Sequence, residues 1–329
     1  ICSRGFGTQI EGGLRANFLR PMANPANTSV SVHGDRLCAF YEGAQPYRLD
    51  PGSLETLGKE LYDGGLNAVK TMSAHGKINP RNNRQVNFGV NITGIGLQGF
   101  KVALDVYDID PAGRIERTCR VPLDGFPFLH DFGLTEHYAL FLLSPIGISL
   151  RGPILGTRAL SETMDYHMGE SLQGIVVDLR DMTLVRRFEL PPSIVVHFAN
   201  SFEVGDEIVT DFIQSCDIGN FTGISDVFSV DRVTGGPLMR YRGNVRSGVV
   251  EHELHHHAPA GDFPAWNMSM TAERSRFLYY VAPLDNGTPY TFNALVKLDT
   301  ETGEFETADY GQHRYTSEAL FAPRAQMRS

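Results

Sequence analysis

The amino-acid sequence predicts an all-β protein built as a β-propeller, and three observations carry that expectation. Gly (34) and Pro (18) are spread along the 329 residues, and long helical periodicity is scarce. Short alternating runs such as "SVSVHGDRLCAFYEG" and "ALVKLDTETGEFETADY" read as strands joined by tight turns. One element also recurs: an aliphatic residue, an Asp, a turn and a second strand, in "LDPGSLETL", "IDPAGRIER", "VDLRDMTLVRRFEL", "VDRVTGGPLMR" and "LDTETGEFET".

The aspartates of this element are Asp50, Asp110, Asp178, Asp231 and Asp299, at intervals of 60, 68, 53 and 68 residues. Such an interval suits a four-stranded sheet with its loops, repeated around an axis. In each copy the Asp side chain is expected to cap the turn by accepting from backbone N–H groups just ahead of it. Asp-Gly turns occur in any β protein, but five copies at similar intervals favour a propeller over an unrelated sandwich. The whole of residues 1–329 is expected to belong to one propeller domain.

Composition narrows the partners. The chain is 42% hydrophobic and 20% charged, as ordinary globular proteins are. Its net charge of −9 argues against a nucleic-acid surface, which needs a basic face. No apolar run reaches 18 residues, so no membrane-spanning helix is expected, whereas peripheral contact through a small apolar patch stays compatible with this composition. Cys2, Cys38, Cys119 and Cys216 are far apart and form no CxxC, which speaks for a reducing compartment rather than a disulfide framework. Asn-x-Ser/Thr sequons at Asn27, Asn91, Asn220, Asn267 and Asn286 carry little weight, because such short motifs arise by chance. The chain opens on Ile1 and ends in "RAQMRS" soon after the apolar "LFAP", and it reads as a piece of something longer.

Three histidines follow the turns at matched distances. His75 in "TMSAHGKINP", His130 in "FPFLHDFGLTEHY" and His197 in "SIVVHFANSFE" come 25, 20 and 19 residues after Asp50, Asp110 and Asp178. Each therefore falls near the start of the next blade's innermost strand, and innermost strands converge on the axis of a propeller. A lone histidine on an apolar strand is usually a packed core residue, but three at matched offsets point to a shared metal ion. Imidazole suits Zn, Cu, Fe and Ni, so ligand type alone does not choose among them. After Asp231 and Asp299 the corresponding places hold acids, Asp262 in "GDFPAWN" and Glu318 in "TSEALFAPR". With Glu42 in "FYEGAQPY", these carboxylates are expected to accept from the outer ring N–H of the histidines and so fix tautomer and orientation.

The blocks "ANTSVSVHGDRLCAFYEGAQPYRLDPGSLETLG", "SAHGK", "HDFGLTEHYALFLLSPI", "VVHFANSFE", "GDFPAWN" and "SEALFAPR" stand in an order that resembles the carotenoid cleavage oxygenases, from about Gly5 to Arg324. The resemblance implies a seven-bladed propeller, incomplete in this chain, with non-haem Fe(II) held by four histidines. It makes His75, His130 and His197 three of those ligands, with Glu42 and Glu318 as outer carboxylates. Two departures stand out. The family's "EFP" block has Glu where this chain has Asp262, one methylene shorter, so its reach to an imidazole is expected to need a water or a shifted loop. The fourth ligand and the opening strands are expected to lie beyond Ser329 and before Ile1. His313, in a loop-like "YGQHRYTSE", is a poor substitute for that ligand.

What the resemblance implies about chemistry is oxidative cleavage of one double bond in a carotenoid or apocarotenoid by O2, giving two carbonyl products. Four neutral ligands keep iron ferrous, and an electron-rich polyene supplies the electrons that other iron oxygenases take from a cosubstrate. Phe126, Phe128, Phe132 and Phe198 neighbour the histidines and are candidates for an apolar tunnel, although core packing is the commoner role for each. Stilbene-cleaving relatives carry Lys before the acid matching Glu42; here that place holds Tyr41, which favours a polyene. The alternative is an isomerising or inactive member of the same fold. His252-Glu253-Leu254-His255-His256 satisfies H-E-x-x-H, but a zincin needs it on a helix, and its setting reads as a strand and an exposed loop. The residues leave the compartment unknown, with cytoplasm and plastid, each with or without membrane association, as the open alternatives.

Overall fold

The structure, a computed structural model, describes residues 3–4, 9–20, 23–67, 69–97, 99–167, 169–215, 235–248, 250–254, 258–284, 292–311 and 314–323. Strands dominate, and the described helices are short, such as Gly13–Asn17 and Arg151–Leu155. No helix among the described residues is long and apolar enough to cross a membrane.

Five sheets of four or more strands follow one another along the chain. The first comprises Ser29–His33, Arg36–Phe40, Tyr47–Leu49 and Thr56–Lys59, and the second Lys77–Asn79, Arg84–Gly96, Gly99–Ile109 and Ile115–Leu123. The third runs Pro127–Phe128, Tyr138–Ile148, Leu172–Asp178 and Thr183–Leu190, with Gly133–Leu134 and Met164–Tyr166 added on Tyr138–Ile148. Ile194–Val204, Glu207–Ser215, Leu238–Asn244 and Val250–Leu254 form the fourth; Asp262–Trp266, Phe277–Ala282, Ala294–Asp299 and Phe305–Asp309 form the fifth. This is the blade topology expected, but the number is corrected: among the described residues five blades are present, not seven. With turns spaced 53–68 residues apart, 329 residues are enough for five such sheets and too few for seven.

The chain divides into two compact units, one of Ile1–Asp131 with Phe141–Pro192 and one of Phe132–Leu140 with Ser193–Ser329. Within the first, Cys38 and Phe40 of sheet one pack with Tyr62, Leu66 and Met72 against Tyr107 and Ile109 of sheet two. Within the second, Ala199, Ile213 and Leu238 of sheet four pack against Leu278, Tyr280, Val296 and Leu298 of sheet five. Apolar faces of neighbouring sheets thus meet face to face, where removal from water gives about 25 cal/mol per Å² of apolar surface.

In four of the five sheets the recurring Asp sits where the third strand turns into the fourth. Asp50 Oδ1 accepts from the backbone N–H of Gly52 (2.9 Å) and Ser53 (2.7 Å), Asp110 from Ala112 and Arg114, Asp178 from Arg180, and Asp299 from Glu301 and Thr302. Those bonds hold the Asp50 carboxyl below its usual range, chiefly through Ser53. In the fourth sheet the same turn is capped by Asn244, which accepts from Arg246 (3.0 Å) and Ser247 (2.8 Å). Asp231, the residue expected there, lies outside the described residues, in the segment joining the second and third strands of that sheet. The search for an acid missed the turn because an amide oxygen caps it equally well.

Cys38 and Cys119 are free and buried; Cys2, Cys216 and His313 lie outside the described residues. Burial, then the nearby Glu60 charge, push the Cys38 thiol up to about 12. In a variant lacking Cys2 and Cys216, no thiol is expected to react with a water-soluble disulfide reagent at pH 8 until denaturant is added; prompt labelling of Cys38 in the native chain would contradict this packing. For the fourth-sheet turn, Asn244→Ala is expected to lower stability by about 1 kcal/mol and Asn244→Asp to change it by less than about 0.5 kcal/mol, read from urea unfolding.

Candidate metal centre

His75 stands two residues before the innermost strand of the second sheet, Lys77–Asn79. Its segment is pinned to the neighbouring strand Arg84–Gly96: the Ser73 N–H donates to the Phe88 carbonyl (2.6 Å) and the Asn87 amide to the Ser73 carbonyl (3.0 Å). Gly76 is needed for that approach, because a Cβ there would lie 2.7 Å from the side-chain nitrogens of Asn87 and Gln85. Both of those side chains are buried.

His130 follows the short innermost strand Pro127–Phe128, whose register against Tyr138–Ile148 shifts between its two residues. The His130 ring brings its Nε2 to 2.8 Å from that of His75. On the far side its Nδ1 meets the Glu42 carboxylate. Phe128 stacks parallel to the His130 ring with centroids 6.3 Å apart. Beside Glu42, burial and then the Glu42 charge raise the Tyr41 hydroxyl, so Tyr41 stays protonated near neutral pH.

His197 lies inside the strand Ile194–Val204, at a break in register between Val195 and Phe198 that frees its side chain from regular pairing. Its Nδ1 is 2.7 Å from Asp262 Oδ1, so the shorter acid reaches the imidazole directly, without the water that was one of the two routes expected, the other being a shifted loop. The backbone supplies the missing length. Phe263 adopts φ 53°, and its N–H donates to Asp262 Oδ1 at 2.7 Å, which turns the carboxylate toward the ring. The Phe263 ring also contacts His197, centroids 4.9 Å apart.

In the first unit the Nε2 atoms of His75 and His130 face each other at 2.8 Å, and in the second His197 is held by Asp262. The donor chemistry fits a metal. A carboxylate on Nδ1 keeps the proton there on His130 and His197, leaving each Nε2 as a lone pair. Such a set of neutral imidazoles binds borderline divalent metals, iron among them.

Other residues are not gathered in. Glu318 is exposed on the extended segment 314–323, and among the described residues no hydrogen bond or ion pair joins it to the three histidines. Phe132 and Phe198 are buried core residues, while Phe126 and Phe128 are half-buried. His252 and Glu253 lie on the strand Val250–Leu254, not a helix, and His255 and His256 lie outside the described residues. Glu203, at the end of "SIVVHFANSFE", accepts instead from Thr135 Oγ1 (2.6 Å), the His137 N–H (2.7 Å) and His137 Nδ1 (2.9 Å), locking a hairpin turn. Sequence reasoning missed Phe263, Ser73 and the Lys77–Asp131 ion pair; the only signal was opposite charge placed next to two candidate ligands, in "HGK" and "HD".

A blade-built all-β protein with a histidine cluster backed by carboxylates is the class that fold and site define. The chain belongs to the retinal pigment epithelial membrane protein family, whose model matches residues 3–329. It is 29% identical over 322 residues to the apocarotenoid-15,15'-oxygenase of Synechocystis, covering 97% of this chain and 65% of that protein. Against the carotenoid 9,10(9',10')-cleavage dioxygenase of Crocus sativus it is 27% identical over 324 residues, covering 91% of this chain and 55% of the relative. The crystal structure of cobalt-substituted Synechocystis apocarotenoid oxygenase superposes with a TM-score of 0.84 at 28% identity, over 98% of this chain and 68% of the other. The chain thus spans between about half and two thirds of the length of these proteins.

Removing the carboxylate behind one ligand tests the geometry. Asp262→Asn is expected to weaken Co(II) binding by about 10–100-fold, measured by titration of the purified protein; unchanged affinity would show that Asp262 does not orient His197.

Proposed function

We propose that His75, His130 and His197 hold ferrous iron and that the protein cleaves a conjugated C=C bond of a carotenoid or apocarotenoid with O2. The bond is replaced by two C=O groups, one oxygen atom going to each product. The observation that carries this reading is the approach of the His75 and His130 ring nitrogens to 2.8 Å, with Glu42 behind His130 and, in the second unit, Asp262 behind His197. The relatives named above as apocarotenoid and carotenoid oxygenases support the substrate class, and a cobalt-substituted relative of the same fold supports a metal at such a centre.

Bound there, ferrous iron supplies O2 activation at an electron-rich alkene. The chain's own residues prepare the place. Glu42 and Asp262 accept from the Nδ1–H groups of His130 and His197, which fixes the orientation of each ring and aims its Nε2. Phe128 and Phe263 set apolar rings against those two imidazoles, and Phe292 packs edge-on against Phe263. Apolar walls beside the centre favour a hydrocarbon chain over a charged substrate.

The test is O2 uptake with an apocarotenoid by the Fe(II)-loaded protein. Loss of polyene absorbance, stoichiometric O2 consumption and aldehyde products are expected, and His130→Ala is expected to abolish all of them. Isomerised polyene without O2 uptake would replace this reading with an isomerase, and an unchanged polyene with iron fully loaded would indicate an inert member of the family.

A further inference from the structure

Lys77 and Asp131 form an ion pair, Nζ to Oδ1 2.9 Å, with side chains only 10% and 3% exposed. Each stands beside a histidine of the centre: Lys77 two residues after His75, and Asp131 immediately after His130. A second link runs alongside. The Ser73 hydroxyl accepts from the His75 N–H at 3.1 Å and donates to the His130 carbonyl at 3.2 Å, and Ser73 is 1% exposed.

We propose that the Lys77–Asp131 ion pair, together with the Ser73 hydroxyl, positions His75 against His130 and so sets the 2.8 Å separation of their ring nitrogens. The inference rests on the reading of these histidines as metal ligands. Its physical basis is an asymmetry. A buried ion pair contributes little net stability, since desolvation of both charges offsets their attraction. What it does impose is distance, because separating two charges in a low-dielectric interior is steeply unfavourable. Here the distance so imposed is between the two segments that carry the rings. The serine hydroxyl adds direction, tying the backbone of one ligand to that of the other. Lys77, Asp131 and Ser73 are thus positioning residues: they act through His75 and His130.

The experiment is a Co(II) titration of the full chain followed by visible absorption, with thermal unfolding of the same samples. Lys77→Met and Ser73→Ala are expected to weaken Co(II) binding by about 10–100-fold and to alter the ligand-field bands. The double variant Lys77→Met/Asp131→Leu replaces both charges, so it is expected to recover the melting temperature lost in Lys77→Met but not the Co(II) affinity. The control is Arg240→Met, which breaks the ion pair with Asp211 in the fourth sheet (2.8 Å, side chains 15% and 8% exposed). It is expected to lower the melting temperature and leave Co(II) affinity unchanged. Wild-type affinity and spectrum in the double variant and in Ser73→Ala would overturn the proposal, as would an equal affinity loss in Arg240→Met. Absence of Co(II) binding by the wild type would overturn the metal reading itself, and the positioning role with it. Should Lys77→Met fail to fold, Ser73→Ala and the double variant decide the question.

Discussion

Two imidazole nitrogens 2.8 Å apart cannot both present lone pairs to empty space. Something positive must lie between them, a proton or a cation, or the rings would turn away. Glu42 removes one freedom by keeping the His130 proton on the opposite nitrogen. The rest of the site follows from that constraint. The rings must be held from behind, because a pair that tolerates rotation would relax into a simple hydrogen bond. The carboxylates, the pinned segment around His75 and the register breaks beside His130 and His197 all serve that end.

The fold delivers this through irregularity placed at the innermost strands. Central strands such as Glu207–Ser215 pair without interruption against a neighbour, Leu238–Asn244, and are buried over most of their length. The inner strands are different: Lys77–Asn79 and Pro127–Phe128 are three and two residues long, and Ile194–Val204 is broken twice in register. Regular pairing would point alternate side chains to the two faces of the sheet. His197 lies at such a break, while His75 and His130 stand just outside the two short strands.

Much of this was legible in the residues. The turn aspartates announced the blades because an Asp that caps its own turn is a local, sequence-coded interaction, and four of the five places proved right among the described residues. Histidines at matched offsets were legible for the same reason: a repeat converts sequence distance into position. Blade number was not, because the expectation of seven came from resemblance and not from counting what 329 residues can build. The Asn244 turn was hidden by chemistry, an amide oxygen doing the work of a carboxylate. Lys77 with Asp131, and Ser73 with the His130 carbonyl, join residues 54 and 57 positions apart, and no local pattern encodes such pairings. Glu318, a residue of the right type at the right offset, is exposed on the segment 314–323.

The bend at Phe263 carries a consequence for how this position can drift. A left-handed backbone at a bulky L-residue costs on the order of 1–3 kcal/mol, and glycine would adopt the same φ of 53° without that cost. Glycine would also delete the ring resting on His197. Selection for stability alone therefore pushes residue 263 toward the smallest side chain, and an aromatic that survives there is a measure of how much the neighbouring imidazole needs a wall.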